Sequence, residues 1–516
     1  MDNEGMLNSD FFSLRGPKAD KTRRWYEWHE PGTSSAEKKL LLKMDFFILL
    51  YTCLTFFVKY LDQTNVTNAW LSGHGDMQKA LKAGPDDLNW YTTYFNIGII
   101  IGAPISTCLI TVIHPRYWLP ACTFAWSFCV LFMYKAQNSQ TIFGLRFVCG
   151  LFEAGAYPGS FYIIGSWYKR SEISKRTGLF LFSSTVGAMT SGFIQSGLLK
   201  NMDGHLGIAA WRWLFILDFC LGIPVAIFGF FVCPNEPESK RMWWMTKDEQ
   251  MIAIKRMRDD GREANGKWDL ATIKKILVSW QLYTFVVAWA FIELTCGVNL
   301  MRWLGLYLQK VGYNKYDVQN LPAIGGFPQL AWIFLSSTVA DLLDNRALPF
   351  FLMAFVQLLC YVVFYVNTSD HSLRLAAYYL ATSYNSLSPL LASWINCSCS
   401  GNRQMRAFIS AMMVSVGYAV ESPAQQVLFP VSDSPYFQKT HGYAFGIGMI
   451  VATMVWGSIV IPVINRYFGP KEACCSVICE PMCCGPSPCG PSNQQTESDR
   501  EEVIHEYGTI KGDNKV

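Results

Sequence analysis

The chain has 516 residues, of which 16% are charged and 51% apolar, and Trp, Tyr and Phe alone make up 15%. Soluble domains carry about 25% charged residues, so this chain cannot coat several globular domains with a water-facing surface. A small net charge of +4 and long uncharged runs over 91–113, 117–134 and 444–463 mark an all-α polytopic membrane protein, and exclude a secreted enzyme, a nucleic-acid binder and a disordered scaffold.

Helix-length apolar windows occur about twelve times, centred near residues 52, 101, 126, 153, 188, 221, 290, 332, 356, 384, 415 and 453. The first forty residues are polar and charged, so the first span is expected to direct insertion and 1–43 to form a cytoplasmic tail. Six spans fill 44–232. A polar, charged loop over 233–278 follows, in which Thr246-Lys247-Asp248-Glu249 reads as a capping box opening a helix through Arg258. Six more spans fill 279–467, and 468–516 forms a tail. Most of the 43 Lys and Arg fall on one side of this arrangement, and the positive-inside rule then puts both termini and the central loop in the cytoplasm. Two six-helix halves joined by a long inner loop suggest a transporter built from repeats, with a membrane-embedded transferase as the rival.

A charge at bilayer depth costs about 2.5–3.5 kcal/mol on insertion scales, so each one needs a partner, a wet cavity or a function. Span one carries Lys59 and is expected to end with Asp62. Span four carries Arg146 and Glu153, and Lys59 and Arg146 are the two cations expected inside spans. Lys59, Asp62 and Gln63 are spaced i, i+3, i+4 and share one stripe of a helix. Arg146 and Glu153 are two turns apart on one face, about 10.5 Å along the axis. Two stripes of opposite-sign pairs, on spans one and four, can face each other, and a carboxylate that exchanges partners between Arg146, Lys59 and an incoming anion is what proton coupling needs. The bland reading of the same residues is a set of static interhelical ion pairs. Asp218, placed near the outer end of span six, and Glu293 in span seven read as structural. Glu421 lines the cavity or, with Ser422-Pro423, marks a helix break. Asn299 and Asn385 are candidate cavity donors. Gly150, Gly155, Pro158 and Gly159 in span four and Gly187 and Gly192 in span five are suited to close helix packing.

The run 60–69, YLDQTNVTNA, resembles the fungal anion:cation symporter branch of the major facilitator superfamily. So do Leu145-Arg146-Phe147 followed by 150–159, GLFEAGAYPG, then Ser166-Trp167-Tyr168, the run 211–216, WRWLFI, and Met245-Thr246-Lys247. The match covers spans one to six and enters the central loop; the second half adds only Ala340-Asp341 with Asn345-Arg346. The resemblance implies twelve spans, alternating access and uptake of a small carboxylate, with the pantothenate permease group nearest. It also implies that Asp62 and Glu153 carry the coupling proton and that Arg146 binds substrate. Many relatives outside this group have Arg directly after the span-one acid, where this chain has Gln63, so Lys59, one turn earlier, is the expected replacement. The loop His114-Pro115-Arg116 lacks the Gly and Asp of the superfamily's gating loop.

The functional expectation is proton-coupled import of a small carboxylate vitamin across the plasma membrane by a monomer, with the proton as coupling ion, no other cofactor, no metal and no partner beyond substrate and lipid bilayer. Pantothenate leads; biotin, allantoate, nicotinate or a sulfur compound or dipeptide are the alternatives, and a non-transporting nutrient sensor is the alternative of another class. An embedded enzyme is disfavoured because all seven His lie in tails or loops. In the tail, Cys474, Cys475, Cys479, Cys483, Cys484 and Cys489 lie close to the last span on the cytoplasmic side, which favours reversible S-acylation over disulfides. Asn367-Thr368-Ser369 is a glycosylation acceptor on the outer face.

Overall fold

The structure, a computed structural model, describes residues 28–29, 33–73, 75–260, 270–343, 345–367, 370–399 and 403–468. The tail cysteines and Thr368-Ser369 lie outside the described residues. Asn367 is described, and its amide oxygen accepts from Arg374 Nη1 at 2.6 Å.

Helices follow one another along the chain. They are α1 Ser35–Met44, α2 Leu50–Trp70, α3 Asp76–Leu81, α4 Asp87–Val112, α5 Pro115–Met133, α6 Ser139–Glu153, α7 Ala156–Trp167, α8 Arg170–Asn201, α9 Ala210–Val232, α10 Lys247–Asp259 and α11 Leu270–Leu277. Then come α12 Trp280–Leu294, α13 Leu300–Val311, α14 Asp317–Ile324, α15 Gly326–Leu343, α16 Ala347–Val366, α17 His371–Leu380, α18 Leu387–Ser398, α19 Arg403–Leu428, α20 Gly442–Val455 and α21 Ile461–Phe468. Among the described residues nine runs are long and apolar enough to cross a membrane: Ser35–Trp70, Asp87–Ile110, Ser139–Trp167, Lys175–Asn201, Ala210–Val232, Trp280–Val311, Asp317–Ala340, Ala347–Val366 and Gly442–Tyr467. The three other expected spans are helical too, as α5, α17 with α18, and α19. Polar residues set two of them apart, since Arg116 lies in the first turn of α5 and α19 carries Glu421, Gln425 and Gln426, and the third is divided into α17 and α18 by a 3-10 turn at Ala381–Ser386.

Three expectations change. The first span does not end at Asp62. No Gly or Pro interrupts α2, which runs to Trp70 and leaves Asp62 mid-helix. Glu421-Ser422-Pro423 is not a helix break, since α19 continues through Pro423 to Leu428. Arg302 joins the buried cations, because the seventh span pauses at Gly297–Asn299 and resumes as α13.

Packing follows the small residues. A side chain at Gly150 would run into the backbone carbonyl of Phe95, and one at Gly98 into that of Phe147, so α4 and α6 cross backbone to backbone. Gly187 does the same for α8 against Phe57 of α2. With these approaches α2 packs along α8 and α9, and α5 along α6 and α9; later in the chain α12 packs on α19 and α16 on α20. The two sets meet where α4 lies along α19 and α8 along α14 and α15.

The expected capping box is present: Thr246 Oγ1 accepts from the Glu249 amide at 3.2 Å, and a Glu249 carboxylate oxygen accepts from the Thr246 amide at 2.9 Å. The resulting α10 is clamped to α1 and to the start of α8. Arg256 bridges Glu37 and Glu172 at 2.6 Å each, Lys169 pairs with Glu37 at 3.0 Å, and Lys43 with Glu249 at 2.6 Å. Partial burial acts to raise the Glu249 carboxyl, but Lys43 and the Thr246 cap outweigh it and hold it below its ordinary value.

Candidate functional site

The polar residues of α2 fan around the helix at about 100° per residue, so neighbours in sequence face different helices. Gln63 turns to α6, where its amide donates to Glu153 Oε1 at 2.7 Å, and the Cys149 thiol lies 3.8 Å from Glu153 Oε2. Lys59 also acts on Glu153, with its ammonium 5.8 Å from the Phe56 ring centre and 6.0 Å from that of Tyr60. Asp62 turns the other way and meets Asp218 of α9, with Arg146 also in electrostatic reach. Asn65, further round, donates to Asp218 Oδ2 and accepts from Ser191 Oγ at 2.5 Å, and Ser191 Oγ in turn accepts from Asn68 Nδ2 at 2.5 Å.

Arg146 is 3% exposed. Its guanidinium lies 4.1 Å from the Phe95 ring centre, its Nε reaches the Tyr91 carbonyl at 3.5 Å, and its Nη1 has no hydrogen-bond partner among the described residues. Among the described residues no ion pair within 4.0 Å involves Lys59, Asp62, Arg146 or Glu153. The expected stripe-to-stripe pairing is therefore loose: a fully buried Glu153 is held by an amide and a thiol, and a buried guanidinium keeps one N–H group free for an oxygen ligand.

The second half of the chain contributes a matching group. Asn299 donates to Glu421 Oε1 at 3.0 Å, and Tyr384 reaches Glu293 Oε2 at 3.4 Å. Two tyrosines join the sets: Tyr60 of α2 acts on both Glu153 and Glu293, and Tyr418 of α19 on Glu153, Glu293 and Glu421. Asn385 is the exception, since its amide points back to Thr382 O, 3.5 Å away within its own turn. Sequence reasoning missed Tyr60, Asn65, Ser191, Arg302 and Tyr418. A spacing signal existed for Asn65, three residues beyond Asp62, for Arg302, three beyond Asn299, and for Tyr418, three before Glu421.

One end of the molecule is closed across the two sets of helices. Asn89 of α4 donates to the Gln425 and Phe429 carbonyls at 3.3 and 3.0 Å, Asn96 to Ser422 Oγ at 3.0 Å, and Gln426 of α19 to Thr93 Oγ1 at 2.9 Å. Arg302 donates to Asn89 Oδ1 and, at 3.3 Å, to Thr92 Oγ1. Gln319 donates to the Asn68 carbonyl at 3.0 Å, and Asp86 accepts from the Ser432 amide at 2.9 Å. Behind them the Trp303 ring stacks on Phe429 at 4.5 Å. Toward the other end a cleft lies between Tyr157 and Phe161 of α7, Trp289 of α12, Ile395 of α18, and Arg406 and Met413 of α19.

Helices crossing at glycines, ionisable groups buried at mid-helix, and a passage closed at one end and cleft at the other define a multi-pass membrane transporter. The family model "Major Facilitator Superfamily" matches residues 52–423. The chain belongs to that superfamily, in its fungal pantothenate and biotin permease-like branch. It is 43% identical to the MFS transporter PfmaC of Pestalotiopsis fici over 86% of this chain and 83% of that one. It is 32% identical to the pantothenate transporter FEN2 of Saccharomyces cerevisiae over 83% and 84%, and 30% identical to the pantothenate transporter liz1 of Schizosaccharomyces pombe over 79% of each. The vitamin H transporter of Saccharomyces cerevisiae is 28% identical over 86% of this chain and 75% of its own length. Among solved structures the fold is like that of a D-xylose–proton symporter, with a TM-score of 0.60 at 15% identity over 80% of this chain and 97% of that one. It is equally like a partially occluded inward-open form of the xylose transporter XylE from E. coli, with a TM-score of 0.61 at 15% identity over 82% and 98%.

Proposed function

We propose that this chain is a proton-coupled importer of a small carboxylate, pantothenate first, acting as a monomer with twelve spans in two six-helix halves, both termini cytoplasmic, in the plasma membrane. The observation that carries this reading is Arg146, buried beside Asp62 and Glu153 with one N–H group unpartnered and the Lys59 ammonium on the same interior face. A substrate carboxylate can take Arg146 and Lys59 as its two cationic partners, with Gln63 as a neutral donor. The names of two relatives, both pantothenate transporters, support the choice of anion, and the vitamin H transporter makes biotin the runner-up.

Proton coupling follows from charge counting. The buried carboxyls Asp62, Glu153, Asp218, Glu293 and Glu421 outnumber the buried cations Lys59, Arg146 and Arg302 around the same interior. An uncompensated negative interior is costly at bilayer depth, so protons belong to this site as much as the substrate does. With the passage open to the outside, a proton on an acid weakens its hold on Arg146 and leaves the guanidinium to the entering anion. Rocking of the halves then opens the opposite end, and anion and proton leave together. The closed end at Asn89, Arg302 and Gln425 and the cleft at Tyr157 and Trp289 correspond to the inward-facing stage of that cycle.

Uptake of labelled pantothenate in a yeast lacking its own permease, at about pH 5 and pH 7.5, with and without a protonophore, tests the reading. Saturable uptake lost at the higher pH is expected. Surface-expressed protein without uptake removes pantothenate and sends the assay to biotin, allantoate and nicotinate; binding of a ligand that never enters the cell supports the sensor instead.

A further inference from the structure

We infer that Asp62 and Asp218 work as a single proton-holding carboxyl pair, which makes Asp218 a coupling residue and the pair, rather than Asp62 with Glu153, the seat of the coupling proton. This rests on the importer reading above.

The placement follows from helix register. Antiparallel to α2, α9 brings Gly222 against Val58, where a side chain at the glycine would lie 3.6 Å from Val58 Cγ1. One turn along each helix puts Asp62 against Asp218. Asn65 bonds Asp218 directly, which fixes the same register from the other side. Asp62 and Asp218 are 3% and 1% exposed, and Asp62 Oδ2 and Asp218 Oδ1 are buried without a hydrogen-bond donor among the described residues.

Two ionised carboxylates in contact repel, and each leaves an acceptor empty. One shared proton removes a charge and supplies the missing donor to both oxygens. The other side of Asp218 already has its donor in Asn65, and among the described residues no cation lies within salt-bridge distance of either acid. The titratable groups facing the pair are Arg146, Cys149 and Glu153 from α6. From α8 comes the neutral Ser191 through Asn65, and α5 presents Ser127 to α9 at Gly222. A purely structural pair would be better served by one acid and one amide, so packing alone gives no reason for two acids here.

The position also links the charge of the pair to the closed end. Asp218 joins Asn65, Asn65 joins Ser191, and Ser191 joins Asn68, whose carbonyl accepts from Gln319 across the boundary between the helix sets. A change of charge on the pair is felt four side chains away at a contact that must break for the passage to open outward.

The full chain, purified in lipid nanodiscs, is titrated by infrared difference spectroscopy between about pH 5 and pH 9, and uptake of labelled pantothenate is measured in parallel in yeast that lacks its own permease and expresses the same variants. The wild type is expected to show a protonated-carboxyl stretch that Asp62→Asn and Asp218→Asn each remove and Glu153→Gln leaves in place. Uphill uptake by Asp218→Asn falls about tenfold or more, the remainder does not vary between pH 5 and pH 7.5, and the double variant is no worse than either single one, as for groups acting as a unit. An Asp218→Asn protein that keeps the stretch or the wild-type pH profile overturns the pair. If Asp218→Asn does not reach the membrane, Asp62→Asn is read alone, and a surviving stretch overturns the pair equally. A wild type whose pantothenate uptake ignores pH and protonophore overturns the symport reading instead, and the infrared comparison still decides whether the two acids share a proton.

Discussion

Lys59, Asp62 and Gln63 were legible as one polar stripe, because i, i+3, i+4 spacing on an uninterrupted helix leaves no other arrangement. Their division of labour was not legible. Asp62 and Gln63 are about 100° apart around α2, and only the positions of α6 and α9 decide that one meets Asp218 and the other Glu153. The same limit hid Arg302, which depends on the pause at Gly297–Asn299 being short enough for the helix to resume inside the apolar layer. If Arg146 and Lys59 are the anion's two partners, they should fail differently. Arg146→Gln is expected to lower kcat/KM for pantothenate uptake about thirtyfold or more, since it removes a buried guanidinium worth about 2–5 kcal/mol to a charged partner. Lys59→Gln, with its ammonium more than 5 Å from the nearest ring centre, should mainly raise KM, by about tenfold. Initial rates across a range of substrate concentration separate the two, and a Lys59→Gln variant with normal KM would remove Lys59 from the binding site.

At the scale of helices, the sequence marked Gly150 and Gly187 as packing residues without naming their partners, which lie on helices distant in the chain. Gly150 admits the backbone of Phe95. Gly150→Val must therefore push α4 off α6, where no side chain can yield, and a loss of about 3 kcal/mol or failure to fold is expected. Gly144, on the same helix with nothing within 4 Å, is the control. Gly144→Ala should be neutral or stabilising by up to about 1 kcal/mol, and thermal unfolding in detergent compares them. The α10 clamp gives a second contrast. Arg256 and Glu172 are both nearly inaccessible, so Arg256→Ala strands a buried carboxylate and should cost about 3 kcal/mol. Lys43 is 41% exposed, and Lys43→Ala should cost under about 1 kcal/mol. Glu249 is held below its ordinary value, so its contribution is full at neutral pH and is lost as the pH falls through the carboxylate range. Equal shifts in the two unfolding temperatures would mean that α10 is not anchored through Arg256.

For the molecule as a whole, the polar central stretch was readable, because a stretch of that length cannot lie among apolar spans, and the structure has α10 and α11 there, between the apolar α9 and α12. Which end is closed was not readable, since it depends on side chains more than 200 residues apart, such as Asn89 with Arg302 and Gln425, and no periodicity records such pairs. The closure is made mostly of single hydrogen bonds between neutral groups, each worth only about 1 kcal/mol net, behind one aromatic plug at Trp303 and Phe429. Such an end is suited to opening, whereas a fixed interface would have been sealed by a continuous apolar face. If it opens in every cycle, tying it shut must stop transport. Asp86 and Ser432 sit at its rim in direct contact, with the Asp86 carboxylate accepting from the Ser432 amide at 2.9 Å and from its hydroxyl at 3.1 Å. With Asp86→Cys and Ser432→Cys combined, a short thiol cross-linker should abolish uptake, and a reducible version should give it back on addition of reductant. Each single variant treated with the same reagent should keep most of its uptake. Cross-linked protein that still accumulates substrate would mean that the contact between Asp86 and Ser432 need not part during the cycle, and that the passage does not open at this rim.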